Sequence, residues 1–173
     1  MTTYATGAEF LVTPEKPSVV GRSDILRPLT PTVRGRSAGD LRSEVDIRHR
    51  TLTVALPREI GGDDTGPSPF EYVLGGFAGC LTAVVQLVAR EQGVALRDVD
   101  VLVTGTIDPH GLRGLRQDHA GFQTITGRVR LSGDIDVHEL SDLVTEVERR
   151  CPIHTLLTAA GVPPQLRWMV TPV

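Results

Sequence analysis

Ser68-Pro69-Phe70-Glu71-Tyr72-Val73-Leu74-Gly75-Gly76-Phe77-Ala78-Gly79-Cys80-Leu81-Thr82-Ala83-Val84-Val85-Gln86-Leu87-Val88 is the stretch around which the rest of the chain must be arranged. Ser68 is an N-cap residue type and Pro69 suits the first helical position. Glu71 stands three residues after Ser68, the spacing of a capping box. Apolar residues recur at Val73, Phe77, Cys80, Val84 and Leu87, with Leu74, Leu81 and Val88 beside them, so the period is helical. Gly93 is the stop signal. Gly75, Gly76 and Gly79 each cost about 1 kcal/mol against alanine in a helix, so they imply that something packs closely there.

Working outward, strands are expected on both sides. Thr32–Arg36 and Arg42–Arg48 flank the turn at 37–40. Thr51–Leu56 alternates apolar and polar residues up to Pro57. Residues 61–67 form a Gly/Asp loop. Leu96–Ile107 and Phe122–Leu131 are strands joined by a long loop from Asp108 to Gly121. Asp136 caps a second helix with the stripe Val137, Leu140, Val144, Val147 and Cys151. Pro152 disfavours helix at Cys151, so the thiol lies at a break, and Ile153–Ala160 resumes the helix. Leu166–Val170 is the last strand. The order β-β-β-α-β-β-α-β describes an α+β fold, a largely antiparallel sheet with two main helices packed on one side. Residues 1–30 are irregular and Pro-punctuated, with one short strand expected at Phe10–Thr13. They read as an extension to a domain over 31–173.

Composition narrows the function. With 173 residues and 40% apolar content the chain can bury one core, built from aliphatic residues because aromatics are only 4%. A net charge of −3 argues against nucleic acid as the main partner. Lys16 is the only lysine, so arginine is the available cation. No run of 18 consecutive apolar residues is present and the N-terminus lacks a signal-peptide pattern, so neither a membrane span nor secretion is expected. The expected compartment is the cytoplasm, where two cysteines are reduced, catalytic or redox-active more often than a structural staple.

The five histidines and two cysteines do not make a zinc pattern: Cys151 and His154 stand three apart, but no second pair exists. The Gly-x-Gly-x-x-Gly and Gly-Lys-Ser/Thr phosphate signatures are absent, as is a serine-hydrolase elbow. Cys80 and Cys151 remain, either as small packing residues or as redox chemistry. Cys80 lies more than two turns inside its helix, out of reach of the N-terminal dipole. Its activation would need a cation, for which Arg42, Arg48, Arg50 and Arg58 are candidates. Glu71, about two and a half turns away, could orient such an arginine.

Gly66-Pro-Ser-Pro-Phe-Glu-Tyr-Val-Leu-Gly-Gly-Phe-Ala-Gly-Cys80 resembles the signature of the OsmC/Ohr superfamily, the osmotically inducible and organic hydroperoxide resistance proteins. Arg48-His-Arg-Thr-Leu-Thr-Val, the loop Gly61-Gly-Asp-Asp-Thr-Gly-Pro and Arg150-Cys-Pro-Ile-His-Thr-Leu resemble further parts of it. The resemblance spans about residues 32–171. It implies an OsmC-like fold in an intertwined homodimer. It also implies a thiol-dependent peroxidase that reduces organic hydroperoxides, with Cys80 attacking and Cys151 resolving. No bound cofactor is implied; an external dithiol of the dihydrolipoamide type would be the reductant. Glu71 and an arginine, Arg42 by its offset from Pro57 and Arg58 next, would activate Cys80. In the hydroperoxide-resistance branch the glutamate directly follows the proline. Here Phe70 takes that position and Glu71 lies about 100° further round the helix. The alternative is therefore an OsmC-like redox-sensing or small-molecule-binding protein without efficient turnover.

Overall fold

The computed structural model describes residues 27–116 and 120–172. The expected strand at Phe10–Thr13 and most of the N-terminal extension lie outside the described residues.

The described residues form six strands and four α-helices. A meander opens it: β1 (Val33–Ser37), β2 (Arg42–Ile47) and β3 (Arg50–Ala55), all antiparallel. One 3-10 turn (Arg58–Ile60) leads to α1 (Pro69–Gln92). Next come β4 (Leu96–Ile107), the short α2 (Pro109–Leu112) and β5 (Phe122–Gly133). The chain closes with α3 (Val137–Arg150), α4 (Pro152–Ala159) and β6 (Gln165–Thr171). α2 falls inside the stretch Asp108–Gly121 read as loop from the sequence, and the 3-10 turn lies between Pro57 and the loop at 61–67.

The α+β class holds, with a difference in the sheet. The strands form two separate three-stranded sheets, β1-β2-β3 and β4-β5-β6. β4 and β5 are antiparallel, whereas β6 runs parallel to β5, with Val129 opposite Trp168. A parallel neighbour needs a crossover, and the α3–α4 segment supplies it.

α1 begins and ends where its caps require. The Ser68 hydroxyl accepts from the Glu71 amide, and the Glu71 carboxylate accepts from the Ser68 amide at 2.7 Å. Gly93 ends the helix at φ 76°, the left-handed conformation that glycine adopts without strain. Its buried face is Phe77, Leu81, Val85 and Val88, packed with Ile125, Val129 and Leu131 of β5, Leu143 and Val147 of α3, and Leu157 of α4. This stripe is offset by about one residue from the one expected: Cys80 and Val84 are half-buried, while Val73 and Leu87 are 45% and 48% exposed. In α3, likewise, Val137 is exposed and Leu143 is buried instead.

α1 keeps a second apolar face that the described residues do not cover. By length and composition alone it is long and apolar enough to cross a membrane, although it holds no uninterrupted apolar run of 18 residues, and 28% of its most apolar window is buried. An added Cβ at Gly75 or Gly79 would meet nothing within 4 Å, so the close packing expected at those glycines is not made among the described residues. At Gly76 it would meet Ile153 at 3.7 Å.

The two sheets make no strand pairing with one another. Near the start of α1 the β1–β3 sheet is held by the Ala55 amide on the Pro67 carbonyl (3.2 Å) and the Tyr72 hydroxyl on the Thr53 carbonyl (2.9 Å).

Candidate functional site

Cys80 and Cys151, 71 positions apart, are brought together with their sulfurs 3.1 Å from one another. Both are free thiols. The architecture explains the approach. Cys80 lies on α1 just beyond the turn carrying Phe77, and α3 packs along the same helix through Leu143 and Val147. α3 stops at Cys151, which has left helical geometry at φ −74°, ψ 111°. Pro152 enforces that, because its ring excludes the α conformation at the preceding residue. Cys151 thus ends α3 and starts α4, and its side chain points back onto α1.

The break is hydrogen-bonded on every side. The Cys151 amide donates to the Val147 carbonyl at 2.9 Å. The Cys151 carbonyl accepts from the Thr155 amide at 3.0 Å and from its hydroxyl at 3.2 Å. Ile153 and His154 open α4 with amides that reach the Cys151 sulfur. The His154 ring lies 6.3 Å from that of Phe77. Beside the cysteine, Arg150 makes a two-pronged ion pair with Glu91 of α1, one arm at 3.1 Å. This clamp ties the break to the far end of α1. Its members are 59 residues apart, so no sequence spacing reveals them, although Arg150 stands in the second cysteine motif.

The two thiols differ in surroundings. Cys151 is fully buried at 0% exposure, and Cys80 is intermediate. Burial pushes the Cys151 thiol up to about 11, because a thiolate there loses its water. The neighbouring Cys80 sulfur adds to this, while the His154 and Ile153 amides oppose it. Cys151 is therefore a protonated donor at neutral pH.

Glu71 and Arg42 are engaged elsewhere in the chain. The Glu71 carboxylate accepts from the Ser68 amide and hydroxyl, both at 2.7 Å, and these bonds hold it below the ordinary glutamate range. The Arg42 guanidinium donates to the Ala38 carbonyl at 2.7 Å and pairs with Asp63 at 3.4 Å. Asp63 is itself held low, first by the Thr65 hydroxyl and amide and then by Arg42. Arg48 sits in the β2–β3 turn at φ 56°, Arg50 opens β3, and Arg58 lies in the 3-10 turn. Among the described residues, none of these four arginines donates to either sulfur. No group of three His, Cys, Asp or Glu suited to a metal occurs among them either. A hollow of about 470 Å³ lined by Thr104, Thr126, Arg128, Gln165 and Arg167 lies on the β4–β6 sheet. Strand alternation places those side chains on the face away from α1, so it is not part of the thiol site.

No curated protein matches the chain. Among solved structures it is similar to an OsmC-like protein from Mycoplasma pneumoniae, with a TM-score of 0.69 and 20% identity over 85% of this chain and 99% of that one. An organic hydroperoxide resistance protein OsmC from Legionella pneumophila follows at 0.65 and 19%, over 84% and 99%. An organic hydroperoxide resistance protein from Elizabethkingia anophelis stands at 0.62 and 17%, over 85% and 99%. At these identities the likeness is one of fold. The OsmC-like protein family model matches residues 61–167, a span holding both cysteines, and with this match the chain belongs to the OsmC-like family.

Proposed function

We propose that this protein is a thiol-dependent peroxidase that reduces organic hydroperoxides. The observation that carries the proposal is the 3.1 Å approach of a partly exposed thiol and a fully buried one. Cys80 as thiolate attacks the O–O bond. The O–O bond breaks, the leaving alkoxide takes up a proton to become the alcohol, and Cys80 becomes a sulfenic acid. The Cys151 sulfur then displaces the sulfenic hydroxyl, which leaves as water, and a Cys80–Cys151 disulfide forms. The sulfurs must close by about 1 Å to reach a disulfide length. A dithiol of the dihydrolipoamide type attacks that disulfide and leaves as its own cyclic disulfide, restoring both thiols. Cys80 packs against the apolar cluster around Phe77 and Leu81, which favours an alkyl hydroperoxide over hydrogen peroxide. The reducing poise this cycle needs is that of the cytoplasm.

The working form in this reading is an intertwined homodimer. α1 already spends one face on its own sheet and clamps Arg150 at its end, unlike a helix surrounded by lipid. Its uncovered face, with Val73, Gly75, Gly79 and Leu87, suits a second copy. The separate β1–β3 sheet can then reach across to that copy. An activating guanidinium would arrive from the partner, with Arg42 the first candidate and Glu71 orienting it. The net charge gives no reason to invoke nucleic acid.

Cys80→Ser should abolish consumption of an alkyl hydroperoxide, and Cys151→Ser should leave a sulfenic acid that a dimedone-type probe captures on Cys80. Undiminished consumption by Cys80→Ser ends the proposal. A redox sensor on the same scaffold is favoured by the prior engagement of Glu71 and Arg42. Oxidation that stops at one equivalent despite excess dihydrolipoamide selects that reading.

A further inference from the structure

We propose that Cys151 acts before it resolves anything: its S–H hydrogen bond to the Cys80 sulfur is what holds Cys80 ready as a nucleophile. The inference rests on Cys80 being the attacking thiol in the reading above, and it gives Cys151 a second role as a positioning and proton-holding residue.

The argument begins with what surrounds the pair. On α1, Glu71 is engaged by Ser68 and Glu91 by Arg150. From α3, the nearest charged neighbour of Cys151 is Arg150, and it is turned to Glu91. On α4 the only titratable side chain is His154, beside Phe77. β4 and β5 present Val99, Val101, Val103, Ile125, Val129 and Leu131 to the helices. Among the described residues the only polar side-chain partner of Cys80 is Cys151, at 3.1 Å. A thiolate on Cys80 therefore depends, within one chain, on a donor that keeps its own proton.

Cys151 meets that requirement through geometry. It has no exposed surface, so it cannot ionise cheaply, and the bend at Pro152 aims its sulfur at Cys80. The amides of Ile153 and His154 reach the same sulfur, so they polarise its S–H toward Cys80. Burial keeps the proton on Cys151 over the whole neutral range, as its high titration point requires. The two thiols are thus assigned before any peroxide arrives: the inner one donates and the outer one attacks.

The test is the pH profile of Cys80 alkylation by iodoacetamide in the reduced protein, read on the Cys80 peptide by mass spectrometry. Cys151→Ser keeps a donor of similar size. Cys151→Ala and Cys151→Val remove it, and Val refills the space if the Ala cavity unfolds the site. The expected result is a profile displaced to higher pH in Ala and Val, with alkylation at neutral pH slower than in Ser by about tenfold, the equivalent of a displacement of one pH unit. Superimposable profiles for Ser, Ala and Val overturn the inference. The readout needs no peroxide. Displaced profiles in a protein that consumes no hydroperoxide would defeat the proposed function and leave this inference standing.

Discussion

At Cys151 a single buried sulfur links chemistry to stability. Its titration point is raised from 9.0 to about 11 by burial and by the Cys80 sulfur. Below pH 9 the thiol is protonated in both the folded and the unfolded chain, and folding gains nothing from the difference. Between 9 and 11 the unfolded chain releases this proton while the folded chain retains it. Stability is therefore intact below about pH 9 and falls as pH rises toward 11, by on the order of 2 kcal/mol. Serine at 151 has no such titration. Urea unfolding of the reduced protein at about pH 8 and about pH 10.5 should show a larger loss for the wild type than for Cys151→Ser. Equal losses would mean that Cys151 ionises as freely in the fold as out of it. The pairing with Cys80 was legible only through the motifs around the two residues. Their spacing, 71 positions, carries no distance information.

At the scale of elements, local signals were the readable ones. The first and last residues of α1 were anticipated because Ser68, Pro69, Glu71 and Gly93 act within one turn of themselves. Ser68 is buried and joins both halves of the capping box. Ser68→Ala should lower unfolding free energy by about 1–2 kcal/mol, with Ser68→Asp recovering most of it. An unchanged melting temperature in Ser68→Ala would remove the cap from the account of α1. Gly105 is a second such point. A Cβ there would lie 2.5 Å from the Phe122 ring and 3.3 Å from Leu74, where α1 crosses β4. Gly105→Ala should cost about 1–3 kcal/mol through overpacking, read by chemical denaturation. A neutral substitution would show that the Phe122 ring yields freely. What the sequence did not reveal was long-range. The division into two sheets and the parallel partnership of β5 with β6 are pairings between distant segments, and strand periodicity is blind to partners. The offset of the α1 stripe has a similar cause. Nearly every position from Val84 to Val88 except Gln86 is apolar, so the pattern alone could not select the buried face. Arg42 and Glu71 were candidates by residue type and position, with Arg42 ranked first through the resemblance, and within one chain they are engaged by the Ala38 carbonyl with Asp63 and by Ser68.

For the whole molecule, the proposed homodimer would have each chain complete the other, through the uncovered face of α1 and the separate β1–β3 sheet. Val73 and Leu87 are half exposed in the single chain, so a charged residue at either should change the stability of an isolated chain by no more than about 0.5 kcal/mol. In an intertwined dimer the same change places an unpaired charge in the seam. Sedimentation should therefore find the wild type near twice the 18.7 kDa chain mass and Leu87→Glu shifted toward the monomer. A wild type sedimenting as a monomer would end the arrangement. The proposed source of the activating cation is testable in the same dimer. Arg42→Ala and Cys80→Ser should each be inactive alone, the first for want of a guanidinium and the second for want of a nucleophile. Unfolded together and refolded, they form mixed dimers in which one site combines an intact Cys80 with an intact Arg42 from the other chain. Recovery of hydroperoxide consumption in the mixture is the expected outcome if the arginine is delivered across the seam. Failure to recover, with mixed dimers confirmed by mass, would return Arg42 to its local task of holding Asp63 and the Ala38 turn.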